Sequence, residues 1–181
     1  MSALPMSKPN ALPWLWLSAL LFGLDQASKW VAVSSLPFQQ QVEFVPGVWN
    51  WHLTHNTGAA FSFLANAGGW QHGFFVALAT LISVVLAVAL RKVARDDWRN
   101  AFPFALIISG ALGNLIDRLR FGHVIDFVEW HVGEYYWPVF NGAGSCIVVG
   151  AVLMVLFSLS HRESAACWTP CSPTRADSVL A

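Results

Sequence analysis

Four long apolar runs organise this chain. They extend from about Leu12 to Val33, from Gln71 to Leu90, from Ala101 to about Leu119 and from Val139 to Ser160. Each reaches the roughly 20 residues that a helix needs to cross a hydrocarbon core. Residues 37–70, between the first two runs, break the pattern. There Val48-Trp49-Asn50-Trp51-His52-Leu53 alternates with period two, as a half-buried strand does. Pro46-Gly47 just before it is a turn signal. The expected architecture is an all-α membrane protein of four transmembrane helices, with a small extracytoplasmic β-sheet between helices one and two. Residues 1–163 would form the membrane domain, and residues 164–181 a polar, disordered tail carrying Pro170 and Pro173.

Basic residues orient the runs. Arg91, Lys92, Arg95 and Arg99 lie between runs two and three, whereas 37–70 and 121–138 contain no Lys or Arg. The positive-inside rule puts the 91–100 loop in the cytoplasm, with both termini beside it. Run one continues past Asp25 to Val33, and no convincing small-x-small cleavage site follows it, so it reads as an uncleaved span. On this topology Asp25 lies ~20 Å into the first span and Asp117 ~24 Å along the third, in a core ~30 Å thick. Asn141 to Ser145 fall in the first turns of the fourth. Polar groups of three spans therefore converge at one level, near the outer leaflet.

Composition agrees with a membrane protein. The 181 residues are 56% hydrophobic and 11% charged, where a soluble domain has about 25% charged. Ten Trp and thirteen Phe suit the two membrane interfaces. A formal net charge of zero gives no footprint for nucleic acid, and a monomer embedded in lipid is expected. Cys146 reads as a packing residue, while Cys167 and Cys171 lie in the tail. His52, His55, His72, His123 and His131 lack the short spacing of a zinc site, so neither metal nor cofactor is expected.

Ionisable groups inside a membrane are costly, and those that remain are usually functional. Asp25 and Lys29 are four apart and share a helix face, as a neutralising tether or as a substrate-facing pair. Gly110, Gly113, Asn114, Asp117 and Arg118 form one small-and-polar stripe. Asp117 reads there as packing glue, held by Arg118 or by backbone donors. Asp126 sits between Ile125 and Phe127, with only His123 as a basic neighbour. Apolar flanks raise a carboxyl pKa into the range of general acid/base work, against the alternative of a helix cap or turn acid.

Five strings together resemble the lipoprotein signal peptidases (signal peptidase II) of bacteria. They are Asp25-Gln26-x-Ser28-Lys29, Asn56-x-Gly58-Ala59-Ala60-Phe61, Gly113-Asn114-Leu115-Ile116-Asp117-Arg118, Val124-Ile125-Asp126-Phe127 and Phe140-Asn141-Gly142-Ala143. The resemblance implies an intramembrane aspartyl endopeptidase of the bacterial inner membrane, with its active site near the periplasmic face. Its substrates would be diacylglyceryl prolipoproteins, from which it removes the signal peptide. Two carboxylates share a proton in such chemistry: one activates water and the other protonates the departing amine. Asp126 matches the family's first catalytic Asp. Asn56, Asn114, Arg118 and Asn141 match pocket-lining polar positions, and Asp25, Lys29 and Asp117 match supporting ones. The family's Phe-Asn-x-Ala-Asp is here Phe140-Asn141-Gly142-Ala143-Gly144, so Gly144 stands where the second acid belongs. Loss of one member of a catalytic constellation costs on the order of 10⁴-fold in rate. Asp117, Glu129 and Glu134 are poor substitutes, the first because it has its own family position and the others because they read as outer-loop residues. The alternatives are a non-catalytic relative that binds precursors, or a small transporter component, which usually shows the repeats absent from this sequence.

Overall fold

The computed structural model describes residues 9–58 and 68–166, with side chains up to Ser160 in the last helix. The Ala59-Ala60-Phe61 string and nearly all of the expected tail lie outside the described residues. In chain order the elements are α1 (Leu15–Ser35), β1 (Gln41–Val45), β2 (Trp49–Asn56), α2 (Trp70–Leu90), α3 (Trp98–Phe121), β3 (Val124–Val132), β4 (Tyr135–Tyr136) and α4 (Gly142–Ala166).

Among the described residues three helices, α2, α3 and the 142–160 part of α4, are long and apolar enough to cross a membrane. Helix α1 is as long as α2, at 21 residues, but Asp25, Gln26 and Lys29 interrupt its apolar sequence. Its faces are inverted relative to a helix in water. Ser18, Asp25, Lys29 and Ala32 are buried, while Trp16, Leu20, Leu24 and Trp30 are exposed. Such a helix keeps its polar groups against protein and offers apolar ones outward, as lipid requires. Helix α3 is the central element, packing against α1, α2 and α4. It is capped by the Asp97 side chain at one end and by Gly122, at φ +80°, at the other.

The sheet is larger than expected and differently built. Four antiparallel strands run in the order β1-β2-β3-β4. Only β1 and β2 come from between helices one and two; β3 and β4 come from the connection between α3 and α4. Asp126 is therefore a strand residue, not a helix cap or turn acid. Glu129, expected in an outer loop, is buried on the same strand. The cause is local composition: Val124 to Val132 is rich in β-branched and aromatic residues and follows a glycine that stops the helix.

Apolar clusters close the two ends of the bundle. Ala11, Leu90, Ala101 and Ile108 pack at one, and Ala32, Leu53, Ile125 and Phe127 under the sheet at the other. Between them α4 lies close against α3 along small residues. A methyl group at Gly110 would collide with the Ala143 carbonyl oxygen and come 2.8 Å from Ile147 Cγ1. One at Gly113 would fall 2.6 Å from Asp25 Oδ2. At Gly144 the nearest atom would be Asn141 Oδ1, at an ordinary 3.4 Å. Gly110→Ala is therefore expected to destabilise the protein by about 1–3 kcal/mol through overpacking, with Gly144→Ala close to neutral. Thermal unfolding in detergent checks this, and equal losses for the two variants would contradict it.

Candidate active site

The polar residues form two connected layers. The deeper one centres on Lys29, whose Nζ lies 2.8 Å from Asp25 Oδ2 and 2.7 Å from Asp117 Oδ2. All three side chains are buried. Buried charges persist only when paired and further hydrogen-bonded, and both carboxylates are. Asp25 Oδ1 accepts from the Ala143 amide at 2.8 Å, so α1 supplies an anion to the first turn of α4. Asp117 accepts from Gln26 Nε2 at 3.0 Å and from the Ile125 amide at 3.3 Å. Lys29, not the adjacent Arg118, is thus the ionic partner of Asp117. Asp25 and Lys29, four apart on one face of α1, are bonded to each other as well as to groups of α3 and α4.

The upper layer is reached through amides. Asn114 Oδ1 accepts from Lys29 Nζ and from Asn141 Nδ2, each at 3.2 Å. Asn141 Nδ2 also donates to Asp126 Oδ1 at 2.6 Å, and Asn56 Nδ2 donates to Asp126 Oδ2 at 2.9 Å. At its other end Asn141 Oδ1 accepts the Gly144 amide at 2.7 Å, capping α4. One side chain therefore separates Asp126 from position 144.

Arg118 extends in another direction. Its Nη2 donates to the Gly58 carbonyl at 2.6 Å and Nη1 to the Asn114 carbonyl at 3.4 Å. The guanidinium lies 4.9 Å from the Phe75 ring centroid. Its Nε is buried without a partner among the described residues. His123, the basic neighbour expected for Asp126, instead stacks on His55 with ring centroids 3.7 Å apart.

Burial pushes the Asp126 carboxyl up to about 6, against the opposing pull of the Asn56 bond, the Lys29 charge, the Asn141 bond and the Arg118 charge. Both its protonation states are accessible near neutral pH, as acid/base work requires. The proton is held more tightly in the folded chain than in the unfolded one. Stability from this group is therefore full below the unfolded value of 3.8 and is lost as pH rises through about 6. Carboxyl ¹³C NMR of the detergent-solubilised protein is expected to show Asp126 titrating near 6; a midpoint near 4 would contradict its desolvation.

The structure thus gathers Asp25, Lys29, Asn114, Asp117, Asn141, Asp126 and Asn56 into one network, with Arg118 bonded to its edge and Gly144 beside it. Sequence reasoning missed Gln26, which bonds Asp117, although it lies within a quoted string. It also missed a separate polar cluster in which the buried Asn50 and Glu129 bond the exposed Gln41 and the partly exposed His52, and which recognition of β3 as a strand would have revealed.

The family model of signal peptidase (SPase) II matches residues 17–160. A lipoprotein signal peptidase of Xanthomonas campestris pv. campestris (strain 8004) is 58% identical over 151 residues, 83% of this chain and 90% of that protein. That of Xanthomonas axonopodis pv. citri (strain 306) is 56% identical over 155 residues, 86% and 90% of the two. That of Xylella fastidiosa (strain M12) is 54% identical over 156 residues, 84% and 93%. A bacterial membrane enzyme solved by the in meso method at 2.3 Å shares the fold, with a TM-score of 0.75 over 96% of this chain and 99% of its own, at 24% identity. The matched region runs from α1 into α4 and takes in every polar residue of the site, and the chain therefore belongs to the signal peptidase II family.

Proposed function

We propose that Asp126 is the reacting acid of a lipoprotein signal peptidase, that its substrates are diacylglyceryl prolipoproteins, and that Gly144 leaves the site with half of its acid pair. The family is one of proteases that process lipoproteins. The observation that carries the site reading is the Asn141 side chain, which bonds Asp126 Oδ1 at one end and the Gly144 amide at the other. A carboxylate at 144 would stand across this one amide from Asp126, and the glycine has room for its Cβ.

In a two-acid mechanism an ionised carboxylate takes the proton of the attacking water, and a protonated one gives its proton to the departing amine. Asp126 alone can serve one of these roles at a time. Asp117 and Glu129 are poor replacements, because each already accepts from three groups. Asn56, Asn114, Arg118 and Asn141 are the polar groups offered to the precursor. Asp25, Lys29 and Asp117 support them. The reading needs no metal or cofactor.

Four spans with cytoplasmic termini and a site near the outer face of the inner membrane complete the proposal. Asn10 bridges to Ala94, and the Arg95 amide donates to the Pro9 carbonyl at 2.9 Å, so the amino-terminal segment lies beside the Arg- and Lys-bearing loop. The sheet lies at the opposite ends of α1 and α3 from that loop. The test is cleavage of a diacylglyceryl prolipoprotein by the chain and by its Gly144→Asp form. The second is expected to cut and the first to cut little or not at all; equal cutting overturns the two-acid reading.

A further inference from the structure

Glu129 is 5% exposed and takes no part in the Lys29 triad or in the bonds to Asp126. Its Oε2 accepts from Gln41 Nε2 at 2.7 Å and from Asn50 Nδ2 at 3.1 Å, and its Oε1 lies 2.8 Å from His52 Nδ1. Three strands meet at this carboxylate. Gln41 pairs with His52 across β1 and β2, and Asn50 pairs with Glu129 across β2 and β3.

The cluster sits beside a change of register. Trp49 pairs with Trp130, Asn50 with Glu129 and Trp51 with Val128. Beyond a bulge the pairs are Thr54 with Asp126, His55 with Ile125 and Asn56 with Val124. The ladder has gained one residue on β2. Continued without the bulge, the first register would set Thr54 opposite Ile125 and Asn56 opposite His123. A one-residue slip turns side chains to the other face, so Asn56 would no longer reach Asp126. Bulges re-aim side chains in this way and need something to hold them. Here the residues inside the bulge are both held, His52 by Glu129 and Leu53 in the apolar cluster with Ala32, Ile125 and Phe127.

We propose that Glu129 is a positioning residue for the peptidase reaction: by gripping Asn50 and His52 it fixes the bulge that brings Asn56 onto Asp126. It touches no reacting atom and acts through Asn56. The inference rests on the reading of Asp126 as the reacting acid, and its test has one arm that needs no cleavage.

In the unaltered chain, Glu129→Gln leaves one acceptor oxygen where there were two, so that either the Gln41 and Asn50 amides or His52 Nδ1 faces an NH2 donor instead. The Asp126 titration, followed by carboxyl ¹³C NMR, is expected to move upward from about 6, because the Asn56 bond that favours the ionised form is lost. Asn56→Ala is expected to give a similar shift, and the double variant no more than either. In the Gly144→Asp background, Glu129→Gln is expected to lower kcat/KM on the order of 10- to 100-fold, and again without adding to Asn56→Ala. An unmoved Asp126 titration, or effects that add, overturns the proposal. If Glu129→Gln does not fold, the less deeply buried His52→Gln carries the titration test, with a smaller upward shift expected and no shift overturning it. A Gly144→Asp form that fails to cut counts against the two-acid reading alone, since the titration still decides the role of Glu129.

Discussion

Gly144→Asp is expected to raise cleavage of a diacylglyceryl prolipoprotein by about 10⁴-fold or more, the scale on which catalytic constellations lose rate when one member is removed. The backbone is ready for the change. A Cβ at 144 meets only Asn141 Oδ1, at 3.4 Å, and an acid in the first turn of α4 is favoured by the helix dipole. The new carboxyl would stand on the Oδ1 side of Asn141, whose Nδ2 bonds Asp126, and two close acids cannot both ionise easily, so one proton is retained between them. On the proposed two-acid reading, that shared proton is what the chain lacks with glycine. Adding Asp126→Asn to the Gly144→Asp form should remove the gain. Retention of the gain by the double variant would show that position 144 acts by some other route.

The second large effect concerns stability. Lys29→Met is expected to cost about 3–5 kcal/mol, the usual penalty for removing one partner of a buried ionic group. It would leave Asp25 and Asp117, 5% and 1% exposed, without their cation. Asn114 Oδ1 would also lose one of its two donors, and through the other, Asn141, the disturbance would reach Asp126. Asp117→Asn in the Lys29→Met background should recover part of the loss by removing one unpaired charge. The measurement is thermal unfolding in detergent. Lys29→Met as stable as the parent would contradict the triad, and so would an Asp117→Asn addition that deepens the loss.

Much of this site was legible in the chain because lipid makes buried polar groups conspicuous. Asp25, Lys29, Asn114, Asp117 and Asn141 interrupt apolar sequence at one level, and the structure joins them in one hydrogen-bonded network. Helix α3, at Trp98–Phe121, extends beyond the expected span at both ends because its caps, Asp97 and Gly122, lie outside the apolar run, whereas α1 and α4 each begin three residues later than expected. The partner of Asp117 was not legible. Arg118 is next to it in sequence, but adjacent helical residues do not face each other, and Lys29 arrives from a separate helix. The strand carrying Asp126 and Glu129 was also hidden. Its partner β2 lies about seventy residues earlier, and pairing at that distance leaves no local periodicity to read. With β3 taken for a loop, Glu129 looked like an exposed charge, and the bulge that aligns Asn56 with Asp126 had no sequence signature at all.

The central claim is that this family member keeps the pocket and lacks one of two acids. Single-turnover cleavage tests it most directly, with the unaltered chain in excess over a diacylglyceryl prolipoprotein so that binding is complete and only the chemical step is timed. The predicted result is a bound precursor that stays uncut, or is cut about 10⁴-fold more slowly than by the Gly144→Asp form. Cleavage by the unaltered chain at a rate matching that form would contradict it.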